Sequence, residues 1–147
     1  MSKVIKASLP PQSMLHAIKQ PDDFLDCYRR ETTIDVDQAA NRAMDFPMWV
    51  TWLMKIRNIA VTPFGLRTDL GQGETIGFFP IVMRNDTEII LGFDDKHLDF
   101  RISILTDGSH AYGATWVRRH NRLGRMYLSL IMPFHVLIMR NAIGRIE

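Results

Sequence analysis

His97, Asp99 and Arg101 alternate with Leu98, Phe100 and Ile102. In a strand, that two-residue period puts the three polar side chains on one face and the three apolar ones on the other. An aspartate between a histidine and an arginine can pair with either; set against the imidazole, it holds the ring in one orientation and raises its pKa. At a cavity mouth such a group does acid–base work, with His97 moving the proton and Asp99 orienting it. On an outward-facing sheet the same residues form ion pairs and nothing more. A second polar cluster follows at Arg118, His120, Asn121, Arg122 and Arg125, around the junction of a strand and a helix that Asn121 is placed to cap. Backbone N–H groups at a helix start, joined by arginines, favour a carboxylate or phosphate. The structural alternative is that Arg118 or Arg125 pairs with Asp94, Asp95 or Asp99 and locks helix to sheet.

The remaining chemistry-bearing residues give weaker signals. His135 falls mid-helix at the edge of an apolar face, where a hydrogen-bonded core histidine is the commoner arrangement. His97 and Asp99 could be two metal ligands with His120 a third across the sheet, but no HExxH and no cysteine set supports them, Cys27 being the single cysteine. No metal and no cofactor is therefore expected. Gly71-Gln72-Gly73 is too short for a phosphate loop and reads as a flexible connection or a lid. Among the aromatics, Phe79 and Trp116 are the expected pocket-lining residues, because central strands facing a helix present them inward.

These residues need elements to hold them. From His120 to Glu147, Leu123, Tyr127, Leu130, Ile131, Phe134, Leu137 and Ile138 recur at spacings of three and four, giving one apolar face of a long helix. Arg122, Arg125, Ser129 and Arg140 fall opposite, and Pro133 predicts a bend. Upstream, residues 1–22 carry Pro10, Pro11 and Pro21 and read as an arm with a short turn at Ser13–Ile18. Phe24–Thr33 reads as the first strand, with Phe24, Asp26, Tyr28 and Arg30 on one face and Leu25 and Cys27 on the other. Asp35 starts a helix and Gln38 stands three residues on, as in a capping box; Val36, Ala39, Ala40, Ala43 and Met44 form its apolar stripe. Pro47 opens a second helix with the stripe Trp49, Trp52, Leu53, Ile56, Ile59 and Ala60, which Pro63 and Gly65 end. After a polar loop, Thr68–Glu74, the period falls to two. Ile76–Met83, Glu88–Phe93, His97–Leu105 and His110–Arg119 are strands joined by short turns, an antiparallel meander.

The order strand, helix, helix, four strands, long helix predicts an α+β helix-grip fold: a curved antiparallel sheet wrapped round the C-terminal helix, with two shorter helices after the first strand. Residues 23–147 form its single domain. A chain of 147 residues buries roughly 70% of its unfolded surface, enough for a core without staples. At 46% hydrophobic and 23% charged the composition is that of a soluble globular domain. A net charge of +2, with no aromatic ladder among the basic residues, argues against nucleic acid. The longest apolar run, Met126–Met139, is broken by Ser129, Pro133 and His135 and falls short of the roughly 18–20 residues of a membrane span. No secretory signal opens the sequence, and a cytoplasmic location is expected.

Three stretches carry a resemblance: Ile76-Gly77-Phe78-Phe79-Pro80; Leu91-Gly92-Phe93-Asp94-Asp95-Lys96-His97-Leu98-Asp99-Phe100; and His120-Asn121-Arg122-Leu123-Gly124-Arg125-Met126-Tyr127-Leu128, followed by Pro133-Phe134-His135. Together they resemble the bacterial domain-of-unknown-function family numbered 2867, from about Asp23 to Arg145. The resemblance implies a START-like helix-grip fold related to polyketide cyclases and lipid carriers. It implies no activity, and the fold does not supply one.

Three readings follow. The first is a small-molecule domain, holding an apolar or amphipathic ligand between sheet and helix, with Phe79, Asp95, Arg101, Trp116, Arg118, His120, Asn121 and Arg125 as its binding residues. The second is an enzyme of cyclase, dehydratase or isomerase type using His97 and Asp99 with an arginine to stabilise negative charge. It requires the His97 face to look into the pocket. The third is an interaction module, a homodimer joined through exposed apolar helix surface.

Overall fold

The computed structural model describes residues 3–61, 63, 75–76 and 79–146. Its elements are β1 (Ile5–Lys6), a 3-10 turn (Met14–Ala17), β2 (Phe24–Glu31), α1 (Val36–Ala43), α2 (Met48–Val61), β3 (Thr75–Ile76), β4 (Phe79–Arg84), β5 (Glu88–Asp94), β6 (Leu98–Thr106), β7 (His110–Arg119) and α3 (Arg122–Gly144). The strands pair antiparallel in the order β1-β2-β7-β6-β5-β4-β3. The curved sheet lies along α3, with α1 packed against β5, β6 and α3. This is the expected α+β helix-grip arrangement. Two strands were not expected: β1, a two-residue edge within the N-terminal arm, and β3, which pairs antiparallel with β4 where the sequence predicts a single strand, Ile76–Met83. The Thr68–Glu74 loop with its Gly71-Gln72-Gly73, the helix stop at Gly65, and Gly77 and Phe78 lie outside the described residues.

Local chemistry accounts for the boundaries. Asp35 caps α1 by accepting from the Gln38 N–H at 2.8 Å. Asn85 Oδ1 accepts from the N–H groups of Thr87 and Glu88 at 2.9 and 2.8 Å and turns β4 into β5. Asp107 Oδ1 does the same for Ser109 and His110 at 3.0 and 2.7 Å between β6 and β7. Asn121 caps α3 through the Gly124 N–H at 2.9 Å. Pro133 sits within α3 without ending it.

Two glycines set how closely α3 approaches the sheet. A Cβ on Gly113 of β7 would collide with Ile143, and one on Gly124 would collide with the His97 carbonyl oxygen. The seam therefore runs along Gly124, Leu128, Met139, Ala142 and Ile143, the buried positions of α3. This corrects the expected face: Leu130, Phe134 and Leu137 are 67%, 51% and 57% exposed. Leucines and aromatics surround this helix on several sides, so periodicity alone selects the bulkiest stripe, whereas close approach selects the one containing glycine and alanine.

The sheet is apolar on both faces. Toward α1 and α3 it presents Tyr28, Ile89, Leu91, Phe93, Ile102, Ile104 and Ala111. On the other face, Cys27, Ile90, Ala114 and Trp116 are covered by the arm, through Leu15 with Ala7, Leu9 and Met14. Glu88, fully buried, fastens the arm: it accepts from Ser13 Oγ at 2.6 Å, from the Met14 N–H at 2.7 Å and from Ser103 Oγ.

Candidate functional site

Between the inner face of the sheet, α2 and α3 lies a cavity of about 340 Å³. The strands contribute Phe79, Phe93, Leu98, Phe100, Ile102 and Val117, in line with the alternation read from β6. Phe100 anchors an aromatic wall, its ring 5.2 Å from that of Phe79 and 4.6 Å from that of Phe93, both edge-on. Helix α2 contributes Val50, Leu53, Met54 and Ile56, and α3 contributes Leu128, Ile131, Phe134 and Ile138. Ile56 and Phe134 are each more than half exposed, so the cavity opens between the two helices.

Few polar groups interrupt these walls. Asp95 lines the cavity, and so do Arg57 and Tyr127, which meet each other. Arg57 Nε donates to Tyr127 Oη at 2.8 Å, with the guanidinium over the tyrosine ring. Thr115 of β7 and His135 of α3 line the cavity as well. His135 Nε2 lies 3.0 Å from Asp26 Oδ2, and Asp26 is the register partner of Thr115 across β2 and β7. Among the described residues no group of three or more His, Cys, Asp or Glu side chains is placed to hold a metal ion.

The residues singled out in the sequence divide between three locations. Phe79 and Asp95 line the cavity. His97, His120, Asn121 and Arg125 stand at the β7–α3 junction. There, His97 Nδ1 is 2.9 Å from Asn121 Nδ2, and the His120 N–H donates to the His97 carbonyl at 2.9 Å. Arg125 pairs with Asp22 at 2.7 Å.

Asp99, Arg101, Trp116 and Arg118 are on the outer face of the sheet, away from the cavity. Asp99 meets His120 at 3.0 Å and Arg101 meets Asp94 at 2.8 Å. Trp116, 3% exposed, donates its indole N–H to Asp23 at 2.9 Å, while both Arg101 and Arg118 lie over its ring. Arg118 forks onto the same carboxylate at 2.9 and 3.2 Å and also donates to the Ile18 carbonyl. Burial pushes the Asp23 carboxyl up, but hydrogen bonds from Arg118, the Gln20 N–H and Trp116 together outweigh it and hold the group below its ordinary value.

Trp116 as a pocket wall is thus corrected. It pairs with Leu25 and Arg101 in register, and that row lies beneath the arm. The acid–base reading of β6 required its charged face to meet the pocket; Asp99 and Arg101 face the other way. His135 sat in the sequence as a core histidine, and its partner Asp26 carried no signal beyond its place on the Phe24, Asp26, Tyr28, Arg30 face. Arg57, outside the apolar stripe expected of α2, also meets the cavity.

Compared with known proteins, the chain matches the family model described as "Protein of unknown function (DUF2867)" over residues 20–142. No curated protein and no solved structure gives a significant match.

Proposed function

The chain belongs to the DUF2867 family, and on that premise we propose that its domain binds a small apolar or amphipathic molecule in the cavity between the sheet and helices α2 and α3. The cavity itself supports this reading: about 340 Å³ is at the small end of the roughly 300–1,000 Å³ of small-molecule sites. Walls built from phenylalanine, leucine, isoleucine and valine take an apolar body. The separated polar groups, Arg57 with Tyr127, Asp95, and His135, fix its orientation. A native core of this size would ordinarily close over such a space, and here two helices keep it open to the outside.

Native mass spectrometry of protein purified from its own host tests the reading. A retained small molecule is expected, and its extraction names the ligand class. Ile131→Trp fills the cavity and should abolish retention while leaving the fold intact. Retention unchanged by that substitution would place the molecule elsewhere and sink the reading.

The exposed apolar surface favours a second reading, self-association. Met48, Trp49, Trp52, Ile56 and Ile59 of α2 and Met126, Leu130, Phe134 and Leu137 of α3 are all exposed. Patches of this kind on a soluble domain mark interaction surfaces, and a second copy presents the same helices. The molecular mass in solution decides it.

A further inference from the structure

We infer that His135, oriented by Asp26, is the polar anchor of the cavity and receives a hydroxyl-bearing apolar ligand. This rests on the cavity reading and names the ligand class for it. Asp26 is a carboxylate on the inner face of β2, with its side chain 8% exposed, and His135 reaches it from α3 with its side chain 15% exposed. An ionised carboxylate only accepts, so the proton of the imidazole sits on Nε2, facing Asp26 Oδ2 at 3.0 Å. The Phe24 ring meets the imidazole edge-on at 6.1 Å and holds it from the side. Two contacts thus fix the ring, and neither uses Nδ1. In this tautomer Nδ1 is an acceptor, and it has no hydrogen-bond partner among the described residues.

The surroundings narrow the class. Thr115, which lines the same wall, has an unpaired hydroxyl, and Asp26 Oδ1 is unpaired too; both atoms are sealed. His135 is therefore the member of the group open to the cavity. Acceptors outnumber donors here, which suits a ligand that donates. A carboxylate ligand would meet the charge of Asp26 and an acceptor nitrogen, and is disfavoured. A hydroxyl on an apolar body donates to Nδ1 and leaves the rest of the molecule to the phenylalanine wall. Asp26 acts through His135 and is a positioning residue.

Calorimetric titration with three probes of one shape tests this: naphthalene, 2-naphthol and 2-naphthoate. The wild-type protein should bind 2-naphthol about tenfold tighter than naphthalene, the effect of one well-placed hydrogen bond, and 2-naphthoate more weakly than 2-naphthol. His135→Phe should remove the preference for naphthol while naphthalene binds as before, which also shows that the fold survives. His135→Gln, which keeps a donor for Asp26 and an acceptor for the ligand, should restore much of it. Asp26→Asn should weaken the preference and shift the imidazole ¹⁵N resonances of His135 away from the Nε2–H tautomer, a change that a purely structural role would not produce. Equal binding of naphthalene and naphthol by the wild type, a preference that survives His135→Phe, or tightest binding of the naphthoate would overturn the inference. Failure of naphthalene itself to bind would instead overturn the cavity reading on which it rests.

Discussion

Asp23 shows how single residues hold the outer face together. Its carboxylate gathers Trp116 and Arg118 from β7 and the Gln20 N–H from the arm. Its folded pKa lies below its ordinary value, so the sign follows. Above the unfolded value, about 3.9, both states are ionised and the full stabilisation is present. As pH falls through the folded value, the carboxyl is protonated and the stabilisation is lost. Asp23→Asn should therefore cost about 1–2 kcal/mol at pH 7, given hydrogen bonds to a charged group whose partner Arg118 is partly open to water. The deficit should shrink as the pH is lowered below about 4. Urea unfolding of both proteins at pH 7 and pH 3 measures it; a deficit that stays constant with pH would refute the assignment. Cys27 lies nearby without joining this chemistry. Burial, reinforced by Asp26, pushes its thiol up to about 12, and it stays protonated at neutral pH.

At the scale of elements, the arm is as much a part of the fold as the strands it covers. Its 3-10 turn seats Leu15 against Cys27, Ile90, Ala114 and Trp116, and Glu88 binds Ser13, Met14 and Ser103 from beneath. Glu88→Ala leaves two hydroxyls and an N–H without their acceptor in a sealed place. That should cost about 3 kcal/mol, since each stranded buried donor costs on the order of 1–3 kcal/mol and they relax together. Limited proteolysis offers the readout: cleavage within residues 7–18 should accelerate in the variant while the sheet remains resistant. Equal cleavage rates would show that apolar packing alone retains the arm. The helices differ in the same respect. α1 was legible from its caps and alanines, because Val36, Ala39, Ala40 and Ala43 are all buried. For α2, the expected stripe included Trp52, Ile56 and Ile59, which are 59%, 58% and 77% exposed. Leu53 and Ile56 of that stripe line the cavity, together with Val50 and Met54, which it did not include.

For the whole molecule, the unpaired surface is the salient feature. α3 has the length and composition of a membrane-crossing helix, yet only 22% of that apolar stretch is buried. Sheet and cavity use one side of it, and α2 meets it through Arg57 on Tyr127. If two copies pair through this surface, light scattering at micromolar concentrations should return a dimer mass. Trp52→Glu together with Leu130→Glu should return a monomer of unchanged circular dichroism, because charges at the centre of an apolar interface cost far more there than in water. A wild-type monomer throughout that range would remove the second reading and leave the exposed residues to the rim of the cavity.

The sequence by itself determined the order of the elements from β2 to α3 except the separate β3, the caps of α1 and α3, the turns at Asn85 and Asp107, and which residues share a face of β6. Those are local matters: a period, a side-chain oxygen within reach of its own backbone, a chain reversal two residues long. It did not determine which face of the sheet meets the helix, because the arm buries the second face as well and leaves both rows apolar around Trp116 and Phe100. Nor did it bring Asp26 to His135, which are 109 residues apart. Their meeting depends on how far α3 descends onto β2 and β7, and that depth is set by Gly113 and Gly124, through the absence of side chains at two points of contact.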